Sequence, residues 1–469
     1  MALASACLAG CTTVPWGAGG AQVVAEAREI RGGLVRELGP DGLARASERL
    51  ALAVAERWSD APLPLETVVG GAVHIAWNDL RPEPGQLSLV LADGGLEAHV
   101  QLAAKPATLS LSTPATGSCD LAIELGPGTW VAPLDLGADK LGRIQVGLRA
   151  GDRYDGTIVA SADCLPDAAL QALLPGAVAH ALSEALGDAL TAELVPALGL
   201  DLALAWSTPV AADALGTGFL RASVRARDAS LLSVDSDRLL VGFSVGFEAE
   251  PHPCMAPLAL PAPDSGEPPP LPRDPSAAAG AALAVRLDAL QQALQAAWVA
   301  GMACADHATT ALGLVTADEL AGAWPALGRY AADARVRLEL WPEGLPTIDP
   351  GDDGGLRVVT GRVVAEVWVE DDGAWWRAAT ATVTLAVEGA LTATPDGFLW
   401  LDPSRVESWP AEVQSGLVAA PDAGALEAVL TPLVEGLVTA RPLMRLPPSV
   451  RPAQARALTI GPEHAVLWR

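Results

Sequence analysis

The chain has 469 residues, two to three times a usual domain, and 51% of them are apolar, enough to bury more than one large core. Thirty Lys and Arg stand against 56 Asp and Glu; the resulting net charge of −26 argues against holding phosphate backbones or anionic membrane surfaces by charge, so nucleic acid is not an expected partner. Gly, Pro, Asp or Glu interrupts every apolar run before the eighteen or so residues a membrane-spanning helix needs, and a soluble body is expected.

At the N-terminus, MALASACLAGC ends in Leu8-Ala9-Gly10-Cys11, the small-residue approach to a cysteine that characterises lipoprotein signals. A positive n-region is missing and the apolar h-region is partial, so either the true start lies upstream or the match is chance. The six cysteines are Cys7, Cys11, Cys119, Cys164, Cys254 and Cys304, without the CxxC or Cys/His spacing of a zinc site. If the first two belong to a processing signal, the other four form an even set suited to an oxidising compartment; six reduced thiols in a cytosolic protein is the other reading.

After a Gly/Ala-rich lead-in, GPDGLARASERLALAVAERW predicts an amphipathic helix with Asp41 as N-cap and Leu43, Leu50, Val54 and Trp58 near helical spacing. AVHIAWND, QLSLVLADGGLEAHVQL and ATLSLST alternate as antiparallel strands; Asp93-Gly94-Gly95 marks a hairpin, and Leu87, Leu89 and Leu91 share a face. From Leu170 to Leu198 an apolar residue recurs at every fourth position. Each such step turns about 40°, so the row winds around the helix, which should be wrapped by other structure, with Pro175 and Gly187 kinking or interrupting it.

Residues 251–275 hold ten prolines in 25 positions and read as a linker. Beyond it the order repeats: the strand AALAVRL, a helix with Leu290, Leu294 and Trp298 in line, then strands. These include GRVVAEVWVEDDGAWWRAATATVTLAVEG, with an Asp372-Gly373 turn and alternating Val363, Ala365, Val367 and Val369. A second long helix, GALEAVLTPLVEGLVTA, carries Leu430 and Leu437.

This duplicated order around a proline-rich joint resembles the tubular lipid-binding superfamily, and within it the family of bactericidal/permeability-increasing and lipid-transfer proteins. VRELGPDGLARASERLALAVAE is similar to that family's opening strand and helix, AVRLDALQQALQAAWVAG to the start of its second barrel, and RPLMRLPPSVRPAQARALTIGPEHAVLW to its closing segment. The resemblance covers most of residues 30–469 and rests on order and pattern. It implies an α+β fold of two elongated antiparallel β-barrels, each wrapped on a long amphipathic helix, arranged end to end in a boomerang with apolar pockets for lipid acyl chains. It also implies a Cys119–Cys164 disulfide tying a strand to the second helix; a Cys254–Cys304 bridge is expected beside it. The chain departs from antibacterial members in lacking a basic cluster, so phospholipid or another neutral or zwitterionic lipid is the expected ligand.

Catalytic signatures do not hold up. GFSVG at 242–246 has the GxSxG form of a hydrolase elbow, but Ser244 lies in a run that alternates straight through as a strand, leaving a serine esterase as a remote alternative. DPGDDGG at 349–355 lacks calcium-loop spacing. The histidines, His180 included, have no partner spacing for a metal or for acid–base work. Trp375-Trp376 beside a turn reads either as a membrane-dipping tip or as cross-strand packing.

The expected organisation is a truncated lipoprotein signal at 1–11, a flexible lead-in at 12–29, an N-terminal lipid-binding barrel at 30–250, the linker at 251–275 and a C-terminal barrel at 276–469. The expected function is lipid binding, extending to lipid transfer, without catalysis, cofactor or metal. The protein would be an outer-membrane lipoprotein facing the periplasm or the cell surface, anchored by lipid on Cys11. Lipid contact is expected at Leu50, Val54, Leu174, Val178, Leu182, Leu294, Trp298, Leu430 and Leu437. An extracytoplasmic structural or interaction protein with filled barrels is the alternative, and protein partners are undetermined.

Overall fold

The structure is a computed structural model that describes residues 29–468 apart from internal segments, the longest being 64–72, 76–85, 263–279, 303–315, 431–443 and 446–456. Strand β1 (Glu29–Leu38) leads into helix α1 (Pro40–Arg57), followed by β2 (Ala61–Leu63) and β3 (Val73–Ile75). Two hairpins come next, β4 (Leu87–Ala92) with β5 (Gly95–Leu102), and β6 (Lys105–Thr113) with β7 (Gly117–Leu125). Then β8 (Gly128–Ala138), β9 (Ile144–Leu148), β10 (Arg153–Tyr154) and β11 (Ile158–Ala162) precede the long helix α2 (Ala168–Leu198). Strands β12 (Leu204–Asp213), β13 (Gly216–Arg225), β14 (Leu232–Val234) and β15 (Leu239–Glu250) end the first half of the chain.

The second half opens with β16 (Ala281–Arg286) and α3 (Leu287–Ala297), which continues as a π-helical turn over Trp298–Met302, and then α4 (Ala317–Ala321). There follow β17 (Val336–Pro342), β18 (Thr347–Pro350), β19 (Leu356–Val359), β20 (Val363–Asp371), β21 (Ala374–Ala393) and β22 (Phe398–Ser415). Residues 424–428 are helical, and β23 (Met444–Arg445), β24 (Ala457–Ile460) and β25 (His464–Trp468) complete the described chain.

Every sheet is antiparallel, and most of the fold is curled sheet. The central sheet runs β12-β13-β15-β1-β16-β25-β24, so β1 pairs the first half on one edge through β15 and the second half on the other through β16. Elsewhere in the first half the strands fall into five-, three- and two-stranded sheets, and the second half has its own seven-stranded sheet. Among the described residues no hydrogen-bonded wall closes on itself, so the expected closed barrels are instead curled, open sheets. The apolar core nevertheless runs without a break from Leu34 and Leu50 through the central sheet to Leu391 and Leu430.

Helix α1 begins at Pro40 with Gly39 as its N-cap, and Asp41 falls inside the first turn instead of capping it. Proline's fixed φ suits the first helical position, where its missing N–H costs nothing. The β20–β21 hairpin turns at Asp372 and Gly373, both at positive φ (49° and 78°), as a two-residue turn of this kind requires. Val363, Ala365, Val367 and Val369 all face the core.

Helix α2 runs unbroken through Pro175 and Gly187, about 46 Å at 1.5 Å per residue. Asp167 caps its N-terminus by accepting from the Ala169 N–H at 2.7 Å, and Gly199, at φ 67°, turns the chain at its end. An interior proline costs about 3 kcal/mol. Burial of Leu174, Leu182, Leu186, Leu190, Leu194 and Leu198, at roughly 1.5–3 kcal/mol each, outweighs both Pro175 and Pro196. Gly187 has a packing reason: a Cβ there would lie 2.4 Å from Leu148 Cδ1 of β9.

The Cys119–Cys164 disulfide is present, joining β7 to the turn before α2, with Cα atoms 5.8 Å apart and a sequence separation of 45. Cys254 and Cys304 lie outside the described residues, as do Cys11 and Leu437. Removing the bridge by Cys119→Ser with Cys164→Ser should lower stability by up to about 4 kcal/mol on the loop-entropy estimate, read as a shift in denaturant midpoint; an unchanged midpoint would show that the tie carries no constraint.

Gly218 of β13 lies where the π-helical turn of the second half presses on the first: a Cβ would meet the Ala300 carbonyl oxygen at 2.1 Å. Backbone cannot retreat as a side-chain tip can. Gly218→Ala should therefore destabilise the chain by about 1–3 kcal/mol through overpacking, measured by thermal or chemical unfolding.

Candidate functional site

The candidate site is the apolar interior around α2. The helix packs on α1, β9, β11 and β2, which cover its successive turns. From Leu174 to Leu198 the buried row makes six four-residue steps, a drift of about 240° around a straight helix. Gly176, His180, Glu184, Asp188, Ala192 and Pro196 form a parallel row that stays exposed. For both to hold, the covering elements must wind around α2 with the drift. The expectation of a wrapped helix is thus corrected: one polar-bearing strip faces solvent along its length, with His180 3.7 Å from Glu184 upon it.

Polar ties set the depth of these elements. The Trp130 indole N–H of β8 donates to Ser183 Oγ of α2 at 3.1 Å, and Trp130 is wholly buried. Ser47 of α1 donates to the Leu43 carbonyl and accepts from the Leu89 N–H of β4 at 2.9 Å, joining helix and strand inside the core. Arg57 and Glu193 pair at 3.0 Å between α1 and α2. Isolated serines and one tryptophan have no periodicity, so sequence reasoning passed over them.

The structure brings Leu50 and Val54 of α1 and Leu174, Val178 and Leu182 of α2 into the core, each at most 1% exposed. Leu294 and Trp298 are buried in the second half, where the Trp298 N–H donates to the Gly344 carbonyl at 3.1 Å and the Gln295 amide to that of Pro346 at 2.9 Å. Leu430 is buried as well. At this burial no water-sized gap adjoins Leu50, Val54, Leu174 or Val178, so an acyl chain reaching them must displace side chains. The apolar residues that do meet solvent around α2 are others: Leu148 of β9 (38% exposed), Val159 of β11 (56%) and Leu173 of α2 itself (55%). They do not form one patch: Leu148 lies against Gly187, toward the opposite end of α2 from Leu173, and Val159 alternates with the buried Ala160 and Ala162 of β11.

Ser244 is 2% exposed in mid-β15, opposite Arg225 of β13, with six more strand residues after it. The sharp strand-to-helix turn of a nucleophile elbow is not there. Residues 349–351 and 354–355 fall in the β18–β19 hairpin, and no group of three His, Cys, Asp or Glu that could hold a metal occurs among the described residues. The resolved pKa shifts have structural causes. Hydrogen bonds from Arg335 hold the Glu370 carboxyl below the usual range, the Arg143 backbone N–H does the same for Asp139, and burial raises the Tyr154 phenol, which donates to the Gly126 carbonyl.

No protein-family model matches the chain, and no curated protein matches it. Among solved structures the chain is similar to one titled as the crystal structure of lipopolysaccharide binding protein, with 16% identity, a TM-score of 0.43, and coverage of 93% of this chain and 98% of that one. It is also similar to P47 from Clostridium botulinum A2, with 7% identity, a TM-score of 0.28, and coverage of 94% and 98%.

If Leu182 is a packed core residue, Leu182→Ala should cost about 2–5 kcal/mol, the range for a cavity in a close-packed interior. A loss below 1 kcal/mol in chemical denaturation would indicate that mobile ligand already shares its surroundings.

Proposed function

We propose that the protein binds lipid without catalysis, taking acyl chains of a neutral or zwitterionic lipid, such as a phospholipid, into the apolar interior beside α2 and passing them between membranes. The observation that carries this reading is the long helix α2, whose winding leucine row lies in a continuous apolar core beneath separate antiparallel sheets that, among the described residues, do not close into a barrel. Covering such apolar surface stabilises by roughly 25 cal/mol per Å². An end-to-end boomerang of the two halves, divided at 30–250 and 276–469 by the linker 251–275, an extracytoplasmic location and acylation of Cys11 as the membrane anchor belong to the same proposal. The net charge of −26 favours ligands held by their chains over ligands held by an anionic headgroup.

Native mass spectrometry of gently purified protein is expected to show acyl-lipid adducts, which mild delipidation should remove while leaving the circular dichroism spectrum unchanged. The complete burial of Leu50, Val54, Leu174 and Val178 favours one rival, an interaction protein with a filled core. Adduct-free spectra in every preparation would decide for that rival.

A further inference from the structure

The seven-stranded sheet of the second half has two chemically distinct faces. Alternation sends Val363, Ala365, Val367 and Val369 of β20 inward and Val364, Glu366, Trp368 and Glu370 outward. Register carries the outward row across neighbouring strands: Trp341 lies opposite Val364, Arg337 and Arg377 flank Trp368, Trp375 lies opposite Glu370, and Trp409 opposite Thr384. Four tryptophans thus share one solvent-facing side of one sheet, with Trp341 at 37% and Trp409 at 45% exposure.

Three of the four indoles lie beneath arginines. The Arg337 guanidinium lies 5.2 Å from the Trp368 ring centre and 4.7 Å from that of Trp375, and Arg357 lies 5.8 Å from that of Trp409. These arginines are themselves paired: Arg337 with Glu339 at 2.6 Å, Arg377 with Glu366 at 2.8 Å, Arg357 with Glu407 at 3.4 Å, and Arg335 with Glu370. The face is therefore rigid, aromatic and rich in donors and acceptors, with its named charges neutralised pairwise.

We propose that this face binds a neutral glycan chain of β-1,4-linked pyranoses, with Trp341 and Trp409 as stacking platforms. Equatorial linkage leaves such sugars with flat C–H faces that lie on an indole, while their hydroxyls suit the paired Arg and Glu side chains and Thr382 and Thr384 between the platforms. The platforms stand three strands apart, about 15 Å at roughly 4.8 Å per strand, a span for several linked sugars. An ionic ligand gains little where each charge already has a partner. Insertion into hydrocarbon would strip water from Glu339, Glu366, Glu370 and Glu407, and protein interfaces of this aromatic kind are depleted in Glu. The Trp409 ring, already fixed by Arg357, loses little freedom on binding.

The test is affinity gel electrophoresis of the full chain in gels containing hydroxyethyl cellulose, glucomannan or glycol chitin, alongside flotation with phosphatidylcholine vesicles. Retardation by at least one polysaccharide is expected, weakened about tenfold by Trp409→Ala and further by Trp341→Ala, by analogy with base–aromatic stacking. Trp409→Phe, which keeps a flat ring, should retain binding and separates stacking from loss of fold. Three outcomes would each overturn the proposal: no retardation in any gel, retardation unchanged in the double alanine variant, or tryptophan-dependent vesicle binding without retardation.

Discussion

Strand β1 uses both of its edges, and the fold depends on this. A strand has only two rows of backbone donors and acceptors, and here β15 takes one while β16 takes the other. The halves cannot part without breaking a backbone ladder, because unpaired N–H and C=O groups in a buried sheet cost as much as lost hydrogen bonds. Side chains hold β1 on both sides: within the first half Glu29, almost fully buried, pairs with Arg225 and Glu37 pairs with Arg238 at 3.4 Å, and across to the second half the Arg286 guanidinium donates to the Arg31 carbonyl at 3.3 Å. Gly42 permits the close approach of α1 to the Gly280 carbonyl at the foot of β16.

The second constraint is the mismatch between a four-residue repeat and a helix of 3.6 residues per turn. A row that drifts about 40° per step can stay covered only if its cover drifts too. No flat sheet supplies that, and the first half meets the demand with several small, curled sheets and a second helix. Together these pieces leave one strip of α2 facing solvent, so the helix pattern and that open strip share one geometric origin.

The second-half sheet shows how one alternating pattern serves two environments. Its inward valines join the common core, and the opposite row supplies indoles, guanidinium groups and carboxylates to solvent. Cation–π contacts and ion pairs on such a face add modestly to stability, because water screens them. Their larger effect is to fix side-chain positions. At the hairpin end the pattern lapses: Trp375, on the outward row, is packed beneath arginines, whereas Trp376, opposite the inward Val369, is 46% exposed.

The sequence by itself determined what depends on short-range periodicity and turn chemistry. The opening helix, the leucine-row helix, the β4–β5 hairpin, the Asp372-Gly373 turn and the alternation of β20 were all legible, because each is encoded within a dozen residues. The Cys119–Cys164 pair was legible only through resemblance. Tertiary structure alone decided that β1 is shared, that the sheets stay open, that Pro175 and Gly187 sit inside an unbroken helix, and that Trp130 finds Ser183. Those outcomes turn on which distant surfaces meet. Gly187 reads as a helix breaker until Leu148 is seen against it, and Arg337 as an ordinary surface charge until Trp368 and Trp375 are seen beneath it. A local pattern specifies which face of an element is apolar; it carries no information about which partner covers that face, because the contact energies that choose the partner arise only between residues far apart in the chain.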